Sequence, residues 1–140
     1  MRAKDEIAPG FIVIQFDGVT SVRQSIQTDW NTLEGELAGW IGGERVEIVR
    51  YSGPLNALSR QLRLFKRHLV FMLPRGSAET AGDNMPATLL YGGGYPIFGN
   101  IVIALETDEE YEIEGFSSRT LLGEALDAIN EAVGGLLRTE

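Results

Sequence analysis

The chain has 140 residues, 44% of them hydrophobic and 23% charged, a formal net charge of −8 and no cysteine. That is one domain's worth of an ordinary globular protein, with enough apolar surface to build a single core. The composition excludes disulfides, thiol catalysis and cysteine-type zinc sites, and the acidic balance argues against generic nucleic-acid binding, which needs a basic surface to neutralise phosphate.

No apolar run approaches the ~20 residues of a membrane helix, and Met1-Arg2-Ala3-Lys4-Asp5-Glu6 lacks a signal peptide's apolar segment. The expectation is a soluble protein of the bacterial cytoplasm, with no membrane partner. Residues 1–9 read as a tail. Phe11-Ile12-Val13-Ile14-Gln15-Phe16 is a β-rich apolar run, and Asp17-Gly18 after it is a hairpin signal of the type I′ kind, in which both central residues need positive φ. The return strand covers Val19 to Ile26, and its imperfect alternation places it toward a sheet edge.

A helix begins near Asn31, which with Glu34 has capping-box spacing. Leu33, Leu37, Trp40 and Ile41 form its apolar face, and Gly42-Gly43 stops it. Arg45 to Tyr51 reads as a strand ended by Ser52-Gly53-Pro54. Leu55, Leu58, Leu62 and Phe65 then have helical spacing behind Pro54. Arg60, Arg63 and Arg67 recur at i, i+3 and i+7, which predicts one exposed basic helix face with Lys66 at its edge. His68 to Leu73 reads as a strand, residues 74–84 as a loop, and Pro86 to Tyr91 as a short helix.

Tyr91-Gly92-Gly93-Gly94-Tyr95-Pro96-Ile97-Phe98-Gly99-Asn100 opens onto the apolar strand Ile101 to Leu105. Gly94 and Gly99 have P-loop spacing, but Asn100 and Ile101 follow where lysine and a hydroxyl residue would meet phosphate and magnesium. Magnesium-dependent nucleotide hydrolysis is therefore not expected. Gly92, Gly93 and Gly94 could still admit a ligand close to the backbone, with Tyr91 and Tyr95 stacking on a base; the plainer reading is a turn joining helix to strand.

Charge is segregated. Ile48 to Ala78 holds six basic residues and no acidic one, whereas Glu106 to Glu114 holds six acidic residues and no basic one. Asp108, Glu110, Glu112 and Glu114 alternate, so on a strand they would form one acidic face, with Tyr111 and Ile113 inward. Without an Asp-x-Asp-x-Asp-Gly loop this reads as a solvated surface rather than a metal site. His68 is the only histidine, with no partner in its spacing to make it a general base. The last element is a helix from Ser118 to about Leu137 with the stripe Leu122, Leu126, Ile129, Val133 and Leu136.

Ile41-Gly42-Gly43-Glu44-Arg45-Val46-Glu47-Ile48-Val49, Leu69 to Phe71, Asn84 with Ala87-Thr88, and Gly99-Asn100-Ile101-Val102-Ile103 together resemble an uncharacterised domain family of phages and bacterial mobile elements, particularly of actinobacteria. The likeness spans roughly two-thirds of the chain and departs from the family pattern at Leu55 to Arg67. Its motifs are turns and apolar strands, which specify fold. The resemblance implies a phage-like accessory protein and carries over no catalytic residue.

These readings converge on a single α+β domain. A mixed sheet with an N-terminal hairpin packs against two to four helices, including the C-terminal amphipathic one. The expected function is non-enzymatic binding of a host or phage macromolecule, through protein partnership or self-association at the charged surface, with no cofactor and no metal. The alternatives are a small-nucleotide binder built on the glycine loop and basic helix, and an acidic nucleic-acid mimic.

Overall fold

Three apolar runs set the architecture. Phe11 to Ile14, Leu69 to Met72 and Ile101 to Leu105 are almost fully buried, because each lies in a strand covered on both faces. A strand with one wet face would alternate instead. A computed structural model describes residues 4–43, 45–50, 55–74, 84–91, 97–134 and 138–139.

The strands in chain order are β1 (Glu6–Ile14), β2 (Val19–Gln24), β3 (Val46–Arg50), β4 (Arg67–Pro74), β5 (Ile101–Thr107), β6 (Ile113–Glu114), β7 (Phe116–Ser118) and β8 (Arg138–Thr139). The helices are α1 (Trp30–Ile41), α2 (Asn56–Arg63), α3 (Met85–Tyr91) and α4 (Arg119–Ala132). One sheet runs β3-β4-β5-β1-β2-β8, with β6 added to β5 and β7 to β1. Its pairings are antiparallel except β2 with β8, so the fold is α+β with a mixed sheet.

Alternate residues of the central strands feed two cores. Ile12, Ile14, Leu69, Phe71, Ile101 and Ile103 pack under α2, α3 and α4, against Leu62, Leu90, Leu122 and Ile129 among others. Phe11, Val13, Val70, Met72, Val102 and Ala104 pack under α1, against Leu33, Leu37, Ala38 and Ile41. Among the described helices α1 covers this face, and the Phe11 and Trp40 rings meet there at 5.8 Å between centroids.

Several boundaries differ from the sequence expectation, each for a local reason. The hairpin is not type I′. Gly18 N–H donates to Gln15 O while Gln15 N–H donates to Val19 O, both at 2.9 Å, and only Gly18 of the Asp17-Gly18 pair takes positive φ, at 89°. This is the three-residue loop in which a turn is followed by a left-handed glycine bulge, and it leaves Phe16 exposed rather than buried. The return strand ends at Gln24, and Ile26 is exposed. The cap of α1 is Asp29, whose carboxylate accepts from Thr32 N–H at 3.2 Å; Asn31 lies inside the helix, and Glu34 instead accepts from Val46 N–H.

Residues 4–9 are no tail. Strand β1 begins at Glu6, and Asp5 sits at the start of α4, accepting from Thr120 N–H at 2.9 Å and from the Ser118 and Thr120 hydroxyls. Helix α4 itself is shorter than its apolar stripe suggested, ending at Ala132, and Gly134 follows in the left-handed conformation at φ 65°. Leu136, Tyr51 to Pro54 and most of the 74–84 segment lie outside the described residues; Pro74 closes β4 and Asn84 caps α3.

Candidate functional site

The predicted basic helix face does not form as one surface. Helix α2 stops at Arg63, and a turn follows in which Leu64, Phe65 and Lys66 N–H groups donate to Gln61, Leu62 and Arg63 carbonyls. Lys66 takes φ 58°, a left-handed conformation that reverses the chain, and Arg67 is already the first residue of β4. Helical spacing carried Arg67 onto the helix in the sequence reading. The sheet claims it because the apolar run behind it pairs with β3 on one side and β5 on the other.

The same turn corrects Phe65, expected on the buried stripe. Phe65 is 59% exposed and Leu64 82% exposed, since both lie past the last helical residue. They are presented by a hydrogen-bonded turn, not a slack loop. Arg60 and Arg63 are exposed beside them, and neither makes an ion pair among the described residues.

Lys66 and Arg67 are engaged within the chain. The antiparallel register sets Arg67 opposite Thr107 and His68 opposite Glu106, so the acidic segment after β5 folds back beside the basic turn. Lys66 Nζ lies 3.5 Å from Glu109, Arg67 Nε 2.8 Å from Glu114, and His68 Nε2 2.9 Å from Asp108. Asp108 N–H also donates to Lys66 O. Arg50 reaches across β4 to Glu106, Nε to Oε1 at 2.9 Å and Nη2 to Oε2 at 2.8 Å. Charges that are segregated along the sequence therefore become complementary neighbours in the fold.

This arrangement also removes the alternating acidic face. Asp108 to Glu112 form the turn between β5 and β6, and only Glu114 of the four expected carboxylates lies on a strand. Tyr111 takes φ 56° and is 68% exposed instead of inward, while Ile113 does pack against the α1-side core. A hydrogen bond with Glu110 and then its charge push the Glu112 carboxyl above its ordinary value. Among the described residues no group of histidine and carboxylate side chains could hold a metal ion.

His68 thus has a carboxylate partner that its sequence spacing did not reveal. It lies at a small hollow of about 320 Å³ shared with Ser59, Arg63 and Tyr111. Among the described residues no hydroxyl hydrogen-bonds its ring, so the arrangement is a histidine–carboxylate hydrogen bond without a nucleophile attached.

Gly92, Gly93, Gly94 and Tyr95 lie outside the described residues; their flanks do not. Tyr91 ends α3 with its ring 6.4 Å from that of Phe71. Asn84, fully buried, donates to Ile14 O at 3.0 Å and Gly99 O at 2.8 Å and accepts from Ala87 N–H at 3.1 Å. Thr88 Oγ1 accepts from Ile97 N–H at 2.8 Å, and Asn100 Oδ1 accepts from Phe16 N–H. The Asn, Ala-Thr and Gly-Asn positions that carry the family resemblance are hydrogen-bonding parts of the scaffold. No family model, curated protein or solved structure matches this chain. No helix among the described residues is long and apolar enough to cross a membrane.

A larger groove, about 790 Å³, lies between α2 and the start of α4. Phe65, Leu105 and Leu121 give it apolar walls, and carboxylates of β1, β6 and α4 stand around it. The sequence reading did not find it. Its described residues come from seven elements, and no local spacing joins them.

Proposed function

We propose that this protein is a non-enzymatic binding protein, a phage-like accessory protein of the kind its sequence resembles, acting in the bacterial cytoplasm on a macromolecular partner. The observation that carries the reading is the α2–β4 turn. It holds Leu64 out in solvent beside Arg60 and Arg63, two exposed cations that make no ion pair among the described residues. The exposed leucine offers apolar area to bury, and arginine is a residue type enriched at interfaces. Burying such a side chain on docking contributes about 1.5–3 kcal/mol, and the arginines steer and orient an acidic partner surface.

Lys66 and Arg67 contribute less to that surface than their sequence position suggests, because Glu109 and Glu114 already neutralise them. The same pairing weighs against a nucleic-acid mimic, whose carboxylates must stay free to replace phosphates.

The test is quantitative affinity capture from host lysate with the wild-type chain, Leu64→Ser, and Arg60→Glu with Arg63→Glu. The expected result is one partner retained by the wild type and lost with either variant, while melting temperatures change little. Retention of the same partner by both variants would show that this turn is only solvated surface.

A further inference from the structure

We propose that the groove between α2 and α4 is a docking site for a cationic, amphipathic peptide segment of a partner protein. The proposal goes beyond the α2–β4 turn reading and uses none of Arg60, Arg63 or Leu64. Its basis is charge complementarity over an apolar floor. Among the described residues the lining carries Asp5, Glu6, Glu114 and Glu124 against one cation, Arg67.

The four carboxylates are not equivalent. Asp5 is committed to the start of α4, and Glu114 to Arg67 at 2.8 Å. Glu6 is exposed and makes no ion pair among the described residues. Glu124 is exposed and, among the described residues, receives only the neutral amide of Gln61, at 2.7 Å. Two carboxylates without a counter-cation among the described residues therefore flank the groove.

The walls specify the rest of the ligand. Phe65 stands more than half exposed on a turn fixed by backbone hydrogen bonds, and the Leu105 and Leu121 side chains line the groove with it. A cation alone would leave Phe65 and the half-buried Leu121 wet, whereas Leu105 is already covered by the core. A lysine or arginine side chain satisfies the carboxylates and can pack its stem or charge on the Phe65 ring, while a neighbouring apolar residue covers Leu121. The volume lies within the range of pockets that enclose a short ligand segment.

The probe is a short fluorescein-labelled peptide alternating lysine and leucine, titrated by anisotropy against the full chain at rising salt. Wild-type protein is expected to bind it saturably. Glu6→Gln with Glu124→Gln should weaken binding about tenfold, and Phe65→Ser should weaken it as well. Asp127→Asn with Glu131→Gln removes the same charge from exposed positions of α4 outside the groove, and should leave binding unchanged. No saturable binding, or equal weakening by both charge pairs, would overturn the proposal, the latter showing bulk attraction to an acidic protein. Competition by spermidine as effective as unlabelled peptide would also overturn it, because the apolar walls would then contribute nothing. Sedimentation of the same variants tests the remaining occupant: self-association lost on Glu6→Gln with Glu124→Gln would assign the groove to a second copy instead of a partner peptide.

Discussion

Arg50 and Glu106 are joined by two hydrogen bonds although β4 runs between their strands. Their exposures are unequal. The Glu106 side chain is 6% exposed and that of Arg50 65%, so the carboxylate depends on the guanidinium while the guanidinium retains access to water. Removing the cation strands a buried charge, whereas neutralising the acid does not. We expect Arg50→Ala to destabilise the fold by about 1–3 kcal/mol, and Glu106→Gln to cost less. The double variant should lose less than the sum of the two. Urea denaturation of the three variants checks this, and strict additivity would mean that the pair does not interact in solution.

Asn84 is expected to be among the least replaceable residues. Asn84→Ala leaves two buried carbonyls and the Ala87 N–H without their partner, at a cost of about 3 kcal/mol or more. Asn84→Asp should be worse still, since a carboxylate accepts from Ala87 but offers nothing to Ile14 O and Gly99 O. A milder effect for aspartate than for alanine would contradict this hydrogen-bond assignment.

Asp5 makes stability acid-sensitive in a defined direction. Hydrogen bonds from Ser118 and then Thr120 hold its carboxyl below the ordinary aspartate value. The folded chain therefore binds this proton less tightly than the unfolded chain. The stabilisation is present above the unfolded-state pKa and disappears as pH falls through the lower folded-state value. Asp5→Asn should flatten the fall of melting temperature on acidification. Glu112 acts with the opposite sign, its raised pKa favouring the folded state at low pH, so Glu112→Gln should raise the melting temperature at neutral pH.

Lys66 occupies a left-handed conformation that glycine adopts without penalty. Its ion pair with Glu109 is long and solvent-exposed, worth about 0–1 kcal/mol at most. Lys66→Gly should leave stability unchanged or raise it by up to about 1 kcal/mol, and Lys66→Val should lower it. Thermal melts of the two variants decide whether conformational relief or the ion pair dominates.

Much of this architecture is legible in the sequence because it rests on local signals. The runs at Phe11, Leu69 and Ile101 mark strands, Leu33-Leu37-Ile41 and Leu122-Ile129 mark helix faces, and Asp17-Gly18 marks a hairpin. Errors cluster where periodicity was carried past an element's end. Arg67 fits the helical spacing of Arg60 and Arg63, but its neighbours satisfy their backbone groups in the sheet. Alternation over Asp108 to Glu114 mimics a strand, but the hydrogen bonds of Thr107 with Tyr111 and Glu112 close a turn.

The sequence by itself determined the α+β class, the absence of cysteine and of a P-loop motif, and the segregation of charge into a basic and an acidic stretch. Only the tertiary structure decided what that segregation does. Strand order puts β5 beside β4, and their antiparallel register brings Lys66, Arg67 and His68 onto Glu109, Glu114 and Asp108. Charge pairing depends on distances of a few ångströms between residues some forty positions apart, and one-dimensional spacing does not encode them. The same limit hid the α2–α4 groove, whose walls become neighbours only when the chain folds.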